Sequence, residues 1–173
     1  MGEYRASSAP RRISNEERER ILKDPGFGDN FTDYMAHQRW TEAEGWSEGE
    51  ILPYGPLSLE PAAAVFHYAQ EIFEGLKAFR HADESVWTFR PEKNAARIQN
   101  SARRLALPEI STEDFLASLR GVVSADEPWV PTGGESSLYL RPFMFASESF
   151  LGVRAAHTVD YYVIASPAGN YFP

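Results

Sequence analysis

The stretch His67–Arg80, HYAQEIFEGLKAFR, decides how this chain reads. Pro61 suits a first helical turn. Val65, Tyr68, Ala69 and Ile72 then recur at helical spacing, which predicts one buried face. Glu74-Gly75 breaks the pattern, and Leu76–Arg80 alternates as a strand that pairs with Val86–Phe89 across His81-Ala82-Asp83-Glu84-Ser85. A helix that runs into a glycine turn holds side chains at the lip of a pocket. Tyr68 and Phe73, five residues apart, stand at that lip. Spacing alone favours core for both, the commoner fate of aromatics in such a pattern.

Outward from this segment the chain alternates helix and strand signals. Pro91 opens a helix with Ala95, Ile98, Ala102 and Leu105 on one side, and Pro108 closes it. Ser111-Thr112-Glu113-Asp114 caps another, which carries Phe115, Leu116, Leu119, Val122 and Val123. Ser137–Phe145 reads as a strand with Leu138, Leu140 and Pro142 on one face and Tyr139, Arg141 and Phe143 on the other. Ser147–His157 is a loop, and Val159–Ala165 is β-prone enough to be a central strand. Upstream, residues 1–13 read as a disordered lead. Ser14-Asn15-Glu16-Glu17 caps a short charged helix that ends near Asp24, before Pro25-Gly26. Phe27–Trp40 carries a strand, Thr41–Gly49 a turn or hairpin, and Ile51–Leu59 an extended run limited by Pro53 and Pro56. Trp40, Trp46, Trp87 and Trp129 are assigned to core or interface. The pattern predicts one α+β domain, with helices packed on a mostly antiparallel sheet.

Composition narrows the function. The chain has 173 residues, 43% of them hydrophobic and 13% aromatic, which is enough for one sizeable core. Its net charge of -8 argues against nucleic acid and anionic membrane as partners, because both need clustered Lys and Arg. No apolar run is long enough to span a bilayer. The N-terminus has no apolar secretory core, and there is no cysteine, so a cytoplasmic protein is expected. The four histidines, His37, His67, His81 and His157, have no metal-like spacing.

Two arginines can carry chemistry. Arg97 lies on the helix after Pro91 among small neighbours, where its planar fork could meet a phosphate; a solvated helix arginine is the plainer alternative. Arg141 shares a strand face with Tyr139, and a guanidinium beside a phenol makes a carboxylate receptor; an edge-strand ion pair explains it equally well.

Four segments in register add a resemblance. His67–Arg80 is followed by Arg90-Pro91-Glu92-Lys93-Asn94 leading into Ala95-Ala96-Arg97-Ile98, then Ser137-Leu138-Tyr139-Leu140-Arg141-Pro142, then Ser166-Pro167-Ala168-Gly169-Asn170-Tyr171-Phe172. In this order they resemble the branched-chain aminotransferases, from the class IV (D-amino-acid aminotransferase-like) pyridoxal-phosphate enzymes. The likeness runs from about Phe27 to Pro173. It implies the small N-terminal domain of the fold type IV enzymes, with an arm over 1–26, the small α+β domain over 27–169 and the start of an interdomain linker over 170–173. It implies that Arg97 holds the phosphate of pyridoxal 5'-phosphate and that Arg141 binds the side-chain carboxylate when glutamate is the amino donor. Phe27, Tyr68, Phe73, Tyr139 and Tyr171 would line the substrate pocket. Leu151-Gly152-Val153 resembles a loop that reaches the partner subunit's site, which implies a homodimer with Val153 near the other chain's substrate.

The reaction so implied moves the amino group between leucine, isoleucine or valine and 2-oxoglutarate. It needs a lysine that forms a Schiff base with the cofactor. Lys23, Lys77 and Lys93 are the only lysines, and none lies in the family's catalytic context. The chain is therefore expected to lack the large catalytic domain, to hold the cofactor weakly, and not to transaminate by itself. Two alternatives stand beside this reading. One is another class IV enzyme, a D-amino-acid aminotransferase or an aminodeoxychorismate lyase. The other is a non-catalytic one-domain protein that binds a small carboxylate or a partner.

Overall fold

The computed structural model describes residues 3–133 and 136–169. In chain order its elements are β1 (Tyr4–Arg5), α1 (Asn15–Lys23), β2 (Tyr34–Thr41), β3 (Gly45–Trp46), β4 (Gly49–Pro53), α2 (Ala64–Tyr68), β5 (Glu71–Phe73), β6 (Leu76–Arg80), β7 (Val86–Thr88), α3 (Pro91–Arg104), α4 (Thr112–Ala125), β8 (Ser137–Ala146) and β9 (Thr158–Ala168). The nine strands form one sheet in the order β1-β4-β2-β9-β8-β6-β7, with β3 on β2 and β5 on β8. Every pairing is antiparallel except β1 with β4.

The long β8–β9 ladder is the spine, in register from Ser137↔Ala168 to Ala146↔Val159. Alternation along it separates two faces. Leu138, Leu140, Met144, Val159, Tyr161, Val163 and Ala165 join the main core. Against this face pack α3, through Ala95, Ile98 and Ala102, and α4, through Phe115, Leu119 and Val122. Each large side chain so buried contributes about 1.5–3 kcal/mol. Both helices start where the sequence says: Pro91 sits in the first turn of α3, and the Ser111 hydroxyl accepts from the Asp114 amide at the start of α4. The opposite face carries a smaller cluster of Met35, Phe145 and Tyr162, flanked by Leu52, Leu59, Val65, Phe143 and Ile164. Tyr139 and Arg141 lie on this second face.

The predicted lead over residues 1–13 is corrected in its described part. Tyr4–Arg5 is a strand on the edge of the sheet, paired with Gly49–Glu50. The Tyr4 ring sits where a side chain at position 49 would be, so Gly49 admits it. Further along, Arg11 reaches two buried carboxylates, Asp33 at 3.4 Å and Asp126 at 3.6 Å, and the Ile13 amide donates to Asp33 at 2.7 Å. Burial pushes Asp126 up to about 7, although the Thr32 hydroxyl and the Tyr34 and Asp33 amides all donate toward it. A lead that reads as polar in sequence is thus fastened by one tyrosine and by ion pairs formed far along the chain.

Two other expectations are also corrected. The helix expected through Ile72 stops at Tyr68: Ala69 takes a left-handed conformation with φ 48°, and Ile72 belongs to β5, opposite Met144. The expected buried face does not form either: Tyr68 and Ala69 are exposed, and only Ile72 of the four joins the core, from its place beside β8. Leu105 is exposed at the end of α3, which closes before Pro108; Ala106 turns the chain at φ 51° and Leu107 takes the buried place. Among the tryptophans, Trp129 is fully buried while Trp87 is exposed on the edge strand β7.

Candidate functional site

The site grows from the break between β5 and β6. The registers on either side set Glu74 and Gly75 opposite Pro142 and Arg141. Pro142 has no N–H to donate, so the ladder keeps only the bond from the Glu74 amide to the Pro142 carbonyl, at 2.8 Å. Alternation then sends Glu74 toward the helices and leaves Gly75 on the second face. A Cβ on Gly75 would overlap the Tyr139 hydroxyl, so this glycine makes the room in which Tyr139 lies.

On the second face, Arg141 Nη2 donates to the Tyr139 hydroxyl at 2.9 Å. The guanidinium lies 4.3 Å from the centre of the Phe73 ring. Phe27 meets Tyr139 edge-on at 5.2 Å. Arg141 Nε is buried and has no hydrogen-bond partner among the described residues. Phe27, Gly28, Phe31, Tyr139, Arg141, Ile164, Ala165 and Ser166 enclose a cavity of about 250 Å³ here. Its walls are apolar, with polar groups at Arg141, Tyr139 and Ser166. Such a pocket suits an aliphatic chain or a carboxylate held by a cation.

Of the other predicted residues, Phe73 lies against Arg141, whereas Tyr68 and Val153 are not among the residues lining the cavity. Phe73 is 61% exposed and covers Arg141 from outside. Tyr68, exposed at the end of α2, donates its hydroxyl to the Leu151 carbonyl and so ties α2 to the loop of Leu151-Gly152-Val153. Val153 is 88% exposed. Tyr171, with the linker expected over 170–173, lies outside the described residues.

Arg97 lies on the helix side of the β5–β6 segment, away from the cavity lining. Its Nε and Nη2 donate to the two oxygens of Glu74, each at 2.6 Å, and Asn94 donates to the same carboxylate at 2.8 Å. These bonds to the Glu74 carboxylate raise Arg97 above its ordinary value. Glu74 is 2% exposed whereas the Arg97 side chain is 66% exposed, so a buried carboxylate aims a guanidinium that stays open to solvent. The guanidinium has five N–H donors, and Glu74 takes two. The remaining three fit one phosphate contact, although the adjacent carboxylate offsets part of the positive charge.

Sequence reasoning does not single out Glu74, Asn94, Phe31 or Ile164. Glu74 carries a signal, being an acidic residue set between apolar strand positions and so in need of a cation. Phe31 and Ile164 carry none, since they meet only through the fold. Among the described residues, no helix is long and apolar enough to cross a membrane.

No protein-family model matches the chain. Among curated proteins it is 57% identical over 172 residues to the "Probable branched-chain-amino-acid aminotransferase" of Streptomyces coelicolor, covering 99% of this chain and 47% of that protein. It is 54% identical over 171 residues to the "Branched-chain-amino-acid aminotransferase" of Mycolicibacterium smegmatis, covering 98% and 46%. The chain thus spans about half the length of the curated relatives it matches. Among solved structures, the branched-chain amino acid aminotransferase of Escherichia coli superposes with a TM-score of 0.60 at 21% identity, covering 82% of this chain and 41% of that one. A second solved branched-chain amino acid aminotransferase, with pyridoxamine 5'-phosphate, gives 0.60 at 22%, covering 79% and 41%. The fold is that of the small N-terminal α+β domain of these proteins.

Proposed function

We propose, for a chain that belongs to the branched-chain-amino-acid aminotransferase family, that it is the half of such an enzyme that reads the substrate side chain. The whole enzyme would exchange the amino group of leucine, isoleucine or valine with 2-oxoglutarate. The observation that carries this reading is the pair Arg141 and Tyr139, hydrogen-bonded to each other and set in an aromatic cup of Phe27 and Phe73. One cavity serves both substrates. The aliphatic chain meets Phe27, Phe31 and Ile164, and the distal carboxylate of glutamate meets Arg141 and Tyr139. The Phe73 ring over Arg141 keeps water from one side of that contact and stabilises the cation.

Pyridoxal 5'-phosphate, when bound, supplies the electron sink for proton loss at the amino acid's α-carbon. In this chain Arg97 would hold its phosphate, oriented by Glu74 and Asn94. One such contact gives weak retention. Lys77 is the lysine nearest the site by topology, since it pairs with Tyr139 across the sheet. We assign it no catalytic role, so the chain alone turns over nothing. Val153 and Leu151, exposed on a loop pinned by Tyr68, support contact with a second copy in a homodimer.

The test is a chimera in which this chain replaces the matching stretch of the Mycolicibacterium smegmatis relative. Turnover of leucine with 2-oxoglutarate is expected. R141A should raise KM for 2-oxoglutarate far more than for leucine, because only the former presents a second carboxylate. A folded chimera that prefers D-alanine, or an R141A variant that affects both substrates equally, would overturn the assignment.

A further inference from the structure

The cavity has a wall, Phe31, that lies outside the four sequence segments His67–Arg80, 90–98, 137–142 and 166–172, and the N-terminal arm supports it. Phe31 lines the cavity beside Phe27 and Gly28. Behind it the Tyr54 ring stacks on Phe31, centres 5.1 Å apart and planes within 7°. The Arg12 guanidinium lies 5.2 Å over the Tyr54 ring, and its Nη2 donates to the Phe31 carbonyl at 2.9 Å and the Thr32 carbonyl at 3.4 Å. Arg12 is itself fixed on both sides. Arg11 bonds the Ala125 carbonyl at 2.7 Å and reaches Asp33, while the Ile13 amide donates to Asp33. From the far side, the Thr32 amide donates to the carbonyl of Ala165, another lining residue, at 3.0 Å.

We infer that Phe31 is a specificity-determining wall that sets how long a side chain the cavity accepts, and that Arg12 and Tyr54 are the positioning residues that hold it. This rests on the reading of the cavity as the side-chain site. Stiffness is what gives the wall its selectivity. A phenylalanine on an irregular segment has two free torsions and would otherwise swing aside for a longer ligand. Stacking fixes its ring plane, and the guanidinium fixes both its neighbour's ring and its own backbone. A wall so fixed rejects an added methylene that a soft wall would admit.

The test uses two branched aliphatic carboxylates, isocaproate and a homologue two methylenes longer, titrated into the 173-residue chain and followed by NMR. Isocaproate should shift Phe31, Ile164 and Arg141 signals and bind more tightly than its homologue. In F31A, R12A and Y54A the preference should move toward the longer probe by roughly threefold to tenfold. Should R12A lower the melting temperature, R12K gives the same comparison, because an ammonium still donates to the carbonyls but loses the planar stack on Tyr54. R12K should likewise move the preference toward the longer probe. Equal weakening of both probes, or an unchanged preference, would mean that the sandwich only stabilises the fold, and would overturn the inference while leaving the pocket assignment intact. Absence of shifts at the cavity with either probe on the unmodified chain would overturn both.

Discussion

At the scale of single residues, the site depends on one carboxylate and one missing Cβ. Glu74 is buried yet faces a largely exposed guanidinium, so its loss is felt through orientation more than through charge. E74Q should destabilise the chain by about 1–2 kcal/mol in urea unfolding, toward the low end for a bond to a charged group because solvent screens Arg97. G75A should cost ~1–3 kcal/mol, because the new methyl forces the Tyr139 hydroxyl away from Arg141. It should also abolish isocaproate binding, read by the same NMR titration. Arg97 and Arg141 are both visible in the sequence as candidates, and the resemblance is what favours the functional reading proposed for each over the plain one. The place of Glu74 is not legible there, because a carboxylate's burial depends on which helix crosses over it, and α3 begins only at Pro91.

At the scale of elements, strand alternation is the most legible signal. The two faces of Ser137–Ala146 follow from a period of two, and the core side lies under the helices as that period requires. The helix starts at Ser14, Pro91 and Ser111 are equally plain, because each is a local bond or a fixed torsion. Segment 64–73 misleads, since its helical spacing runs on through Ile72 while the helix stops before the left-handed Ala69 and Glu71–Phe73 pairs with the edge of β8. The arm misleads because its partners are remote: Arg11 meets Asp33 and Asp126, which no local pattern connects to it. That junction joins α4 to the start of β2, and it makes stability depend on pH. Asp126 titrates near 7 in the fold and near ~4 when unfolded. Between those values the folded state holds the extra proton, so this group's contribution to stability is present below about pH 4 and lost as pH rises through about 7. The difference in melting temperature between the wild type and D126N should therefore change across that window, with the wild type losing ground as pH rises. A constant difference would show that Asp126 is ionised throughout. Asp160 has the opposite sign. Burial opposes its charge, but hydrogen bonds from His37 and Arg39 prevail and hold it at about 2, so its contribution is lost as pH falls from about 4 toward 2.

At the scale of the whole molecule, one sheet divides the work. Its helix-covered face builds the core and holds Arg97 beside the β5–β6 break. Its other face carries the Arg141 cavity, with the N-terminal arm bracing one wall. On this reading the chain supplies the side-chain pocket and one phosphate contact, but no lysine that reacts with the cofactor. Borohydride reduction of the purified chain with pyridoxal 5'-phosphate, followed by peptide mass spectrometry, tests that division of labour without an intermediary. Only trace, unselective labelling of Lys23, Lys77 and Lys93 is expected. Stoichiometric labelling of Lys77, which shares the sheet face and register position of Tyr139, would contradict the reading and give this chain a reactive centre of its own.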